Sequence, residues 1–328
     1  MCAILFAGCG NHSEQNGKNT SAKAAKGEIS LYTSQPEADA QKLIAAFNKK
    51  YPDVKVKIFR SGTEEVISKV MAEKKLGKVQ ADVLLVSDAA TFEQLKNKDI
   101  LEKYASPELE AIPSSFVDKD HTYAGTKVIA TGIMYNVNKI KTPPKSFMDL
   151  TKADYKDQTS MPSPLYSGAA AYNLSLFTRT NGLGWDFYQG LKNNGVKVDK
   201  GNGSVLKDVT DGARNIGMIV DYMAFRAKAK GAPVEFVYPD EGVPFVTEPI
   251  GIVKGSANEN LAKLFEDFIL SVDGQKETAA IGYTPVRKGV AAPKGFASIE
   301  KMKIITGDLP VLVKAREEDK QKFTTMFK

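Results

Sequence analysis

Cysteine is almost missing from this chain. Of 328 residues only Cys2 and Cys9 are cysteines, and none follows residue 9. The body therefore has no disulfide framework and no thiolate chemistry. Histidine is as scarce, with His121 the only one beyond the first twelve residues. No Gly-x-Ser-x-Gly elbow, P-loop lysine, His/Cys metal spacing or dinucleotide fingerprint occurs. Most nucleophilic and metal-hydrolase schemes thus lack parts, and the expectation is a protein that is not an enzyme and carries no cofactor. No apolar run reaches the roughly 20 residues that cross a bilayer as a helix. Blocks of like charge are missing as well. The 45 basic and 39 acidic residues leave a net charge of +6, spread too thinly to point to nucleic acid.

What is present is an ordinary globular composition, 42% apolar and 26% charged, with enough length for about two domains. The first nine residues are a short apolar run ending in Ala7-Gly8-Cys9, and a polar, Lys/Asn/Ser-rich segment follows. An apolar stretch, small residues before a cysteine and then a solvated tether resembles the end of a bacterial lipoprotein signal. The expectation is a signal remnant over 1–9, lipidation at Cys9 and a flexible linker over 10–27. The lipid anchor is then the only link to a membrane, with the domain outside the cytoplasmic one.

Beyond residue 27 the pattern is regular. Ile29–Thr33 reads as a strand, and Ser34-Gln-Pro-Glu37 as a capping box opening a helix with Leu43 and Phe47 on its inner face. Val54, Val56 and Ile58 alternate as a strand, and Ser61-Gly62-Thr63-Glu64 gives a second cap signature. Ala81–Val86 is a third strand, with a helix starting at Ser87-Asp88. This β-α-β-α-β order builds a parallel sheet with helices on its faces. After an irregular stretch and a long extended run near 128–135, the order restarts. Thr159–Ser163 is a strand, Ser167-Gly168 starts a helix, Asn215–Val220 is a buried strand and Asp221-Tyr222 starts another helix. Thr247–Val253 reads as a returning strand, an amphipathic helix follows, and two helical pieces lie beyond Pro285.

Helix N-termini carry unpaired backbone N–H groups and a partial positive charge. In open parallel sheets they face the ligand crevice beyond the strand ends. Several junctions here hold a small hydroxyl residue: Thr33-Ser34, Ser61-Gly62-Thr63, Ser87 and Ser167-Gly168. Such starts suit an anion, because glycine lets it approach the backbone and the hydroxyl adds a donor.

The order as a whole resembles the extracellular solute-binding proteins of ABC importers, in the branch that binds ferric iron, phosphonates, sugar phosphates and vitamin phosphates. The segments that carry the resemblance are Ile29-Ser-Leu-Tyr-Thr33, Phe59-Arg-Ser-Gly-Thr-Glu64, Ala81-Asp-Val-Leu-Leu-Val86, Thr131-Gly-Ile-Met-Tyr-Asn-Val-Asn-Lys139, Gly217-Met-Ile-Val-Asp-Tyr222 and Thr247-Glu-Pro-Ile-Gly-Ile-Val253. It implies an α/β, two-lobed, periplasmic-binding-protein-like type II fold, each lobe a mainly parallel sheet joined to the other by two extended hinge crossings. Lobe 1 is expected over 28–127 plus 248–285 and lobe 2 over 128–247 plus 286–328.

The implied function is capture of a small phosphorylated or phosphonate organic anion between the lobes, and its delivery to an ABC permease and its ATPase by hinge closure. A monomer is expected, with no nucleic-acid partner. By the same resemblance Ser61, Gly62, Thr63, Ser167 and Gly168 hold the anion, with Ser34 and Ser87 beside them. Asp221 and Glu248 accept hydrogen bonds from the rest of the ligand, Glu241 is a further acidic candidate, and Tyr32, Tyr166 and Tyr222 stack on it. The alternative is a ferric-iron-binding protein. Ferric binders of the branch place two adjacent tyrosines where this chain has Asp221-Tyr222-Met223, which weighs against iron.

Overall fold

The computed structural model describes residues 25–296 and 302–328. Cys2, Cys9 and the expected lipidation site lie outside the described residues, as does most of the linker. Among the described residues no helix is long and apolar enough to cross a membrane.

The first half runs β1 (Gly27–Thr33), α1 (Glu37–Lys50), β2 (Val54–Arg60), α2 (Thr63–Lys75), β3 (Val83–Leu85) and α3 (Ala89–Asn97). The long strand β4 (Ala124–Asn136) then leads into β5 (Thr159–Pro162), α4 (Gly168–Phe177), α5 (Gly184–Asn193), β6 (Lys197–Asp199), α6 (Asn202–Asp211), β7 (Ile216–Val220), α7 (Asp221–Ala229) and β8 (Val234–Val237). The chain returns through β9 (Phe245–Ile252) to α8 (Glu259–Leu270), α9 (Val272–Ile281) and β10 (Thr284–Pro285), and ends in α10 (Leu309–Met326). Of the two helical pieces expected in the tail, α10 is the one among the described residues.

The strands line up as β2-β1-β3-β9-β4-β7-β5-β6, with β8 and β10 also paired to β4. Each half contains a parallel trio, β2-β1-β3 in one and β6-β5-β7 in the other. This is the two-lobed α/β fold expected from the βα order. The crossing strands are antiparallel because one leaves the first half and the other comes back to it. Strand β4 pairs with β9 up to Ala130 and with β7 from Thr131 onward, so it changes sheet between those two residues. Thr131 also donates its N–H to the Pro244 carbonyl just before β9, at 3.0 Å. Both crossings therefore sit side by side.

Burial follows the amphipathic pattern. Leu43 and Phe47 of α1 pack on Ile29, Leu31 and the apolar side of α8 at Phe265 and Phe268. Val66 and Val70 of α2 join Leu84 and Phe92 under the other face of the first sheet. Phe147, Phe177, Phe187 and Leu191 form the second half's own cluster, which α10 completes with Leu312 and Phe323.

Two local expectations change. Ser34 does not cap α1: that helix starts after Pro36 and has no side-chain cap. Ser61 does not cap α2 either, since Gly62 is the N-cap and Ser61 bonds Glu65 instead. Pro36 removes a donor that a cap would have bonded. Glu64 is drawn away by cations of α10, so the second capping box cannot close.

Candidate ligand-binding site

A cavity of about 280 Å³ opens between the two halves. Its wall holds Ser34, Thr63, Ser87 and Glu248 from the first half and Tyr166, Ser167, Gly168 and Tyr222 from the second. The start of α6, from Gly201 to Ser204, faces the same space, as do Arg60 and Lys200. Its volume is close to the lower end of small-molecule pockets, roughly 300–1,000 Å³, and is room for a small organic molecule rather than a lone ion.

Three helix starts converge here. Helix α4 is capped by Ser167, whose Oγ accepts from Ala170 N at 3.3 Å and also from Asn202 Nδ2 at 3.3 Å. Helices α2 and α6 have no side-chain cap. The Glu64 N–H of α2 is taken by the Tyr166 carbonyl at 3.4 Å and the Ser204 N–H of α6 by the Gly201 carbonyl at 3.0 Å. That leaves the N–H groups of Thr63, Asn202 and Gly203 for whatever fills the cavity, and an oxyanion answers them best. Lys200 lies over the Tyr166 ring at 4.4 Å, while Arg60 reaches the Tyr166 hydroxyl at 3.4 Å and the Gln35 carbonyl at 2.9 Å. Tyr166 thus crosses the cavity mouth between two cations.

The halves touch tightly at two glycines. A Cβ on Gly168 would lie 2.7 Å from Thr63 Oγ1 and 2.8 Å from the Ser87 carbonyl oxygen. A Cβ on Gly62 would lie 2.6 Å from the Tyr166 carbonyl oxygen and ring. Gly62 was expected to touch the anion, but it does not line the cavity. Its lack of a side chain makes room for Tyr166 of the opposite half.

The cavity floor is a buried charge network. Glu248 pairs with Lys127 Nζ at 2.5 Å, and both side chains are almost wholly buried. Gln35 Nε2 donates to the same carboxylate oxygen, Oε2, at 2.9 Å, and Ser34 Oγ lies 3.5 Å from the other, Oε1. Lys127 sits over the Tyr283 ring at 4.7 Å, and Tyr283 lies 4.3 Å from the Tyr222 ring. Arg226 packs on both rings and pairs with Asp39 at 2.7 Å. Burial, with Glu248 nearby, pushes the Tyr222 hydroxyl above its ordinary range, so it is a neutral donor at pH 7.

Residues 79–308 match the family model described as bacterial extracellular solute-binding protein. The chain belongs to this family. It is similar to an uncharacterized protein of Haemophilus influenzae, 30% identical over 265 residues that cover 77% of this chain and 75% of that one. Among solved structures it resembles the periplasmic binding protein AfuA of Actinobacillus pleuropneumoniae with exogenous fructose-6-phosphate bound. That likeness has a TM-score of 0.86 and 25% identity, covering 92% of this chain and 99% of AfuA. Iron-bound HitA of Pseudomonas aeruginosa has the same fold, with a TM-score of 0.81 and 22% identity over 90% of this chain and 99% of HitA.

In this solute-binding protein several expected contacts lie elsewhere. Asp221 does not line the cavity. Its Oδ1 accepts from the Tyr222 N–H at 2.8 Å, so it occupies the start of α7 and cancels that helix end as an anion seat. Ser61 is turned to Glu65. Tyr32 is buried and donates to Glu73 at 2.9 Å. Glu241 accepts from the N–H groups of Phe147 and Met148 at 3.1 and 3.2 Å, a structural task. His121 is exposed in a turn with φ of 56°. Arg60, Lys200 and Gly201-Asn202-Gly203-Ser204 were missed. The last of these has the glycine-spaced strand-to-helix form of Ser61-Gly62-Thr63, and that signal was legible.

Burial pushes the Asp221 carboxyl up to about 7, against the opposing effect of the N–H groups of Tyr222, Ala130 and its own residue. A carboxyl raised from 3.8 binds a proton on folding between those two values. Its contribution is fully present below pH 3.8 and is lost as the pH rises through about 7. The span is worth at most about 4 kcal/mol. Asp221→Asn removes this titration. In paired thermal melts the wild-type Tm, relative to the variant, is expected to fall as the pH rises from 5 to 8. A Tm difference that is flat across that range would refute the assignment.

Proposed function

We propose that this protein is the substrate-binding component of an ABC importer and captures a phosphorylated organic molecule between its lobes. The observation that carries the reading is the convergence of the uncapped starts of α2 and α6 with the start of α4 on one cavity whose mouth holds Arg60 and Lys200. The phosphoryl group sits among the hydroxyls of Thr63, Ser87, Ser167 and Ser204 and the free N–H groups of α4 and α6. The remainder of the ligand, rich in hydroxyls, meets Glu248 and Tyr222. Glu248 is already balanced by Lys127, so it accepts hydrogen bonds without repelling the anion as a bare carboxylate would. AfuA, with fructose-6-phosphate bound, supports this choice.

Closure turns on the paired crossings at Ala130/Thr131 and Pro244, between a lobe of residues 28–127 plus 248–285 and one of 128–247 plus 286–328. Ligand contacts to both lobes favour the closed form. The protein works as a monomer, tethered through Cys9 and presenting its cargo to a permease and its ATPase.

Calorimetry with fructose 6-phosphate, other sugar phosphates, a phosphonate and chelated ferric iron tests the reading. Each charge-assisted hydrogen bond contributes about 1.5–3 kcal/mol. Thr63→Ala and Ser167→Ala should therefore each weaken organophosphate binding by about tenfold or more. Unchanged affinity in both would sink the anion seat. Iron weighs less here. Among the described residues no group of three or more His, Cys, Asp or Glu side chains is placed to hold a metal. A strong visible band on adding chelated ferric iron, lost in Tyr222→Phe, would reverse that ordering.

A further inference from the structure

The C-terminal helix α10 touches both halves of the molecule, and it does so with different chemistry on its two sides. Toward the second half it is mainly apolar. Leu312 and Phe323 are buried in that half's cluster, and Phe323 meets the Tyr188 ring edge-on at 6.0 Å. Arg179, at the end of α4, adds a forked pair to Asp319 at 2.7 and 3.2 Å.

Toward the first half α10 presents charge. Arg316 is 2% exposed and divides its guanidinium between two carboxylates, Glu64 Oε1 at 2.8 Å and Asp88 Oδ2 at 3.0 Å. Lys320 holds the other oxygen of Glu64 at 2.7 Å. Gln94 of α3 donates to the Val313 carbonyl at 3.4 Å. Two of these carboxylates are immediate chain neighbours of cavity-wall residues: Glu64 follows Thr63 and Asp88 follows Ser87. Asp88 also caps α3 through the Thr91 N–H at 3.0 Å. One arginine, more than 220 residues further along the chain, thus fixes both segments that Gly168 touches from across the cleft.

We infer that α10 is an interlobe clasp, and that Arg316 is a positioning residue that holds Thr63 and Ser87 against the second lobe. The apolar side of α10 is its permanent seat. The charged side is the one that releases, because water can replace its hydrogen bonds when the lobes part, whereas exposing Phe323 and Leu312 has no such compensation. Removing the charged grip on the first lobe shifts the equilibrium toward the open form. Clasp engagement depends on the two-lobed hinge and not on the ligand's identity, so it is measured without any ligand.

The experiment is small-angle X-ray scattering on the ligand-free protein, unsubstituted and carrying Arg316→Met or Lys320→Ala. Circular dichroism checks that each variant is folded. Both substitutions act on the charged side: the first removes the contacts to Glu64 and Asp88, and the second removes only the Lys320 contact to Glu64. Both should shift the radius of gyration upward from the unsubstituted value, which lies near the 19–20 Å of a compact chain of this length, with the larger shift for Arg316→Met. A structural role confined to the first lobe would lower the Tm of Arg316→Met without expanding either variant, and that result overturns the clasp. If Arg316→Met fails to fold, Lys320→Ala decides alone. Loss of organophosphate binding in the unsubstituted protein would count against the proposed ligand and leave this result unaffected.

Discussion

Gly168→Val abolishes ligand capture while leaving the protein folded: the expected result is a loss of affinity of at least about 100-fold. The position has an ordinary helical conformation at the start of α4, where valine is tolerated about as well as glycine. The three atoms nearest a Cβ there all belong to Thr63 and Ser87 of the first lobe. Across the cleft the new side chain meets Thr63 Oγ1 and the Ser87 carbonyl, at 2.7 and 2.8 Å from the Cβ alone. A backbone carbonyl cannot rotate away as a flexible side chain does. The lobes therefore stop short of contact, and hydrogen bonds that must come from both sides at once cannot form together. Calorimetry with fructose 6-phosphate reads the loss, and a melting curve reads the fold. Binding within tenfold of the unsubstituted protein would show that the ligand is not held by the closed cleft.

Glu248→Ala carries the largest expected cost in stability. It leaves the Lys127 ammonium in a site that is almost entirely buried. Breaking such a pair costs about 3–5 kcal/mol, because the remaining charge has lost its partner in a buried site. Tyr283 under the ammonium offsets part of this through its ring face. Adding Lys127→Met to Glu248→Ala should recover most of the loss, since an apolar chain of similar length fills the space without a charge. Urea unfolding of the two single variants and the double variant measures the coupling. If the double variant is no more stable than Glu248→Ala, the cost does not come from the stranded lysine. Because Glu248 also faces the cavity, ligand affinity should stay weakened in the double variant even where stability returns. That separates its two tasks.

Much of the candidate site was legible because the hydroxyls that line its cavity sit at places that local rules mark. Ser167 reads as a helix cap from its neighbours alone, and it is one. Thr63, Ser87 and Ser34 stand at strand-to-helix junctions, and the parallel sheet aims all such junctions at one crevice. The failures have a common form. The same local rules gave capping boxes at Ser34 and Ser61, yet Pro36 and the cations of α10 prevent both. Asp221 has the right place in the chain for a ligand contact but spends its carboxylate on the Tyr222 N–H beside it. Arg60 looked like any strand-end charge until Tyr166 arrived from the other lobe to meet it.

The alternation of strand and helix, the two lobes and the hydroxyls at helix starts follow from the order of residues, because periods of two and 3.6 are local properties of the chain. Which of those helix starts share one cavity does not. That depends on contacts between segments far apart in the chain, such as Gly168 on Thr63 and Ser87, and Gly62 on Tyr166. The pairing of Arg316 with Glu64 and Asp88 is of the same kind. No sequence period marks these partners. Each is set by how the two lobes come to rest against each other, with burial making an unpaired charge too costly to leave behind.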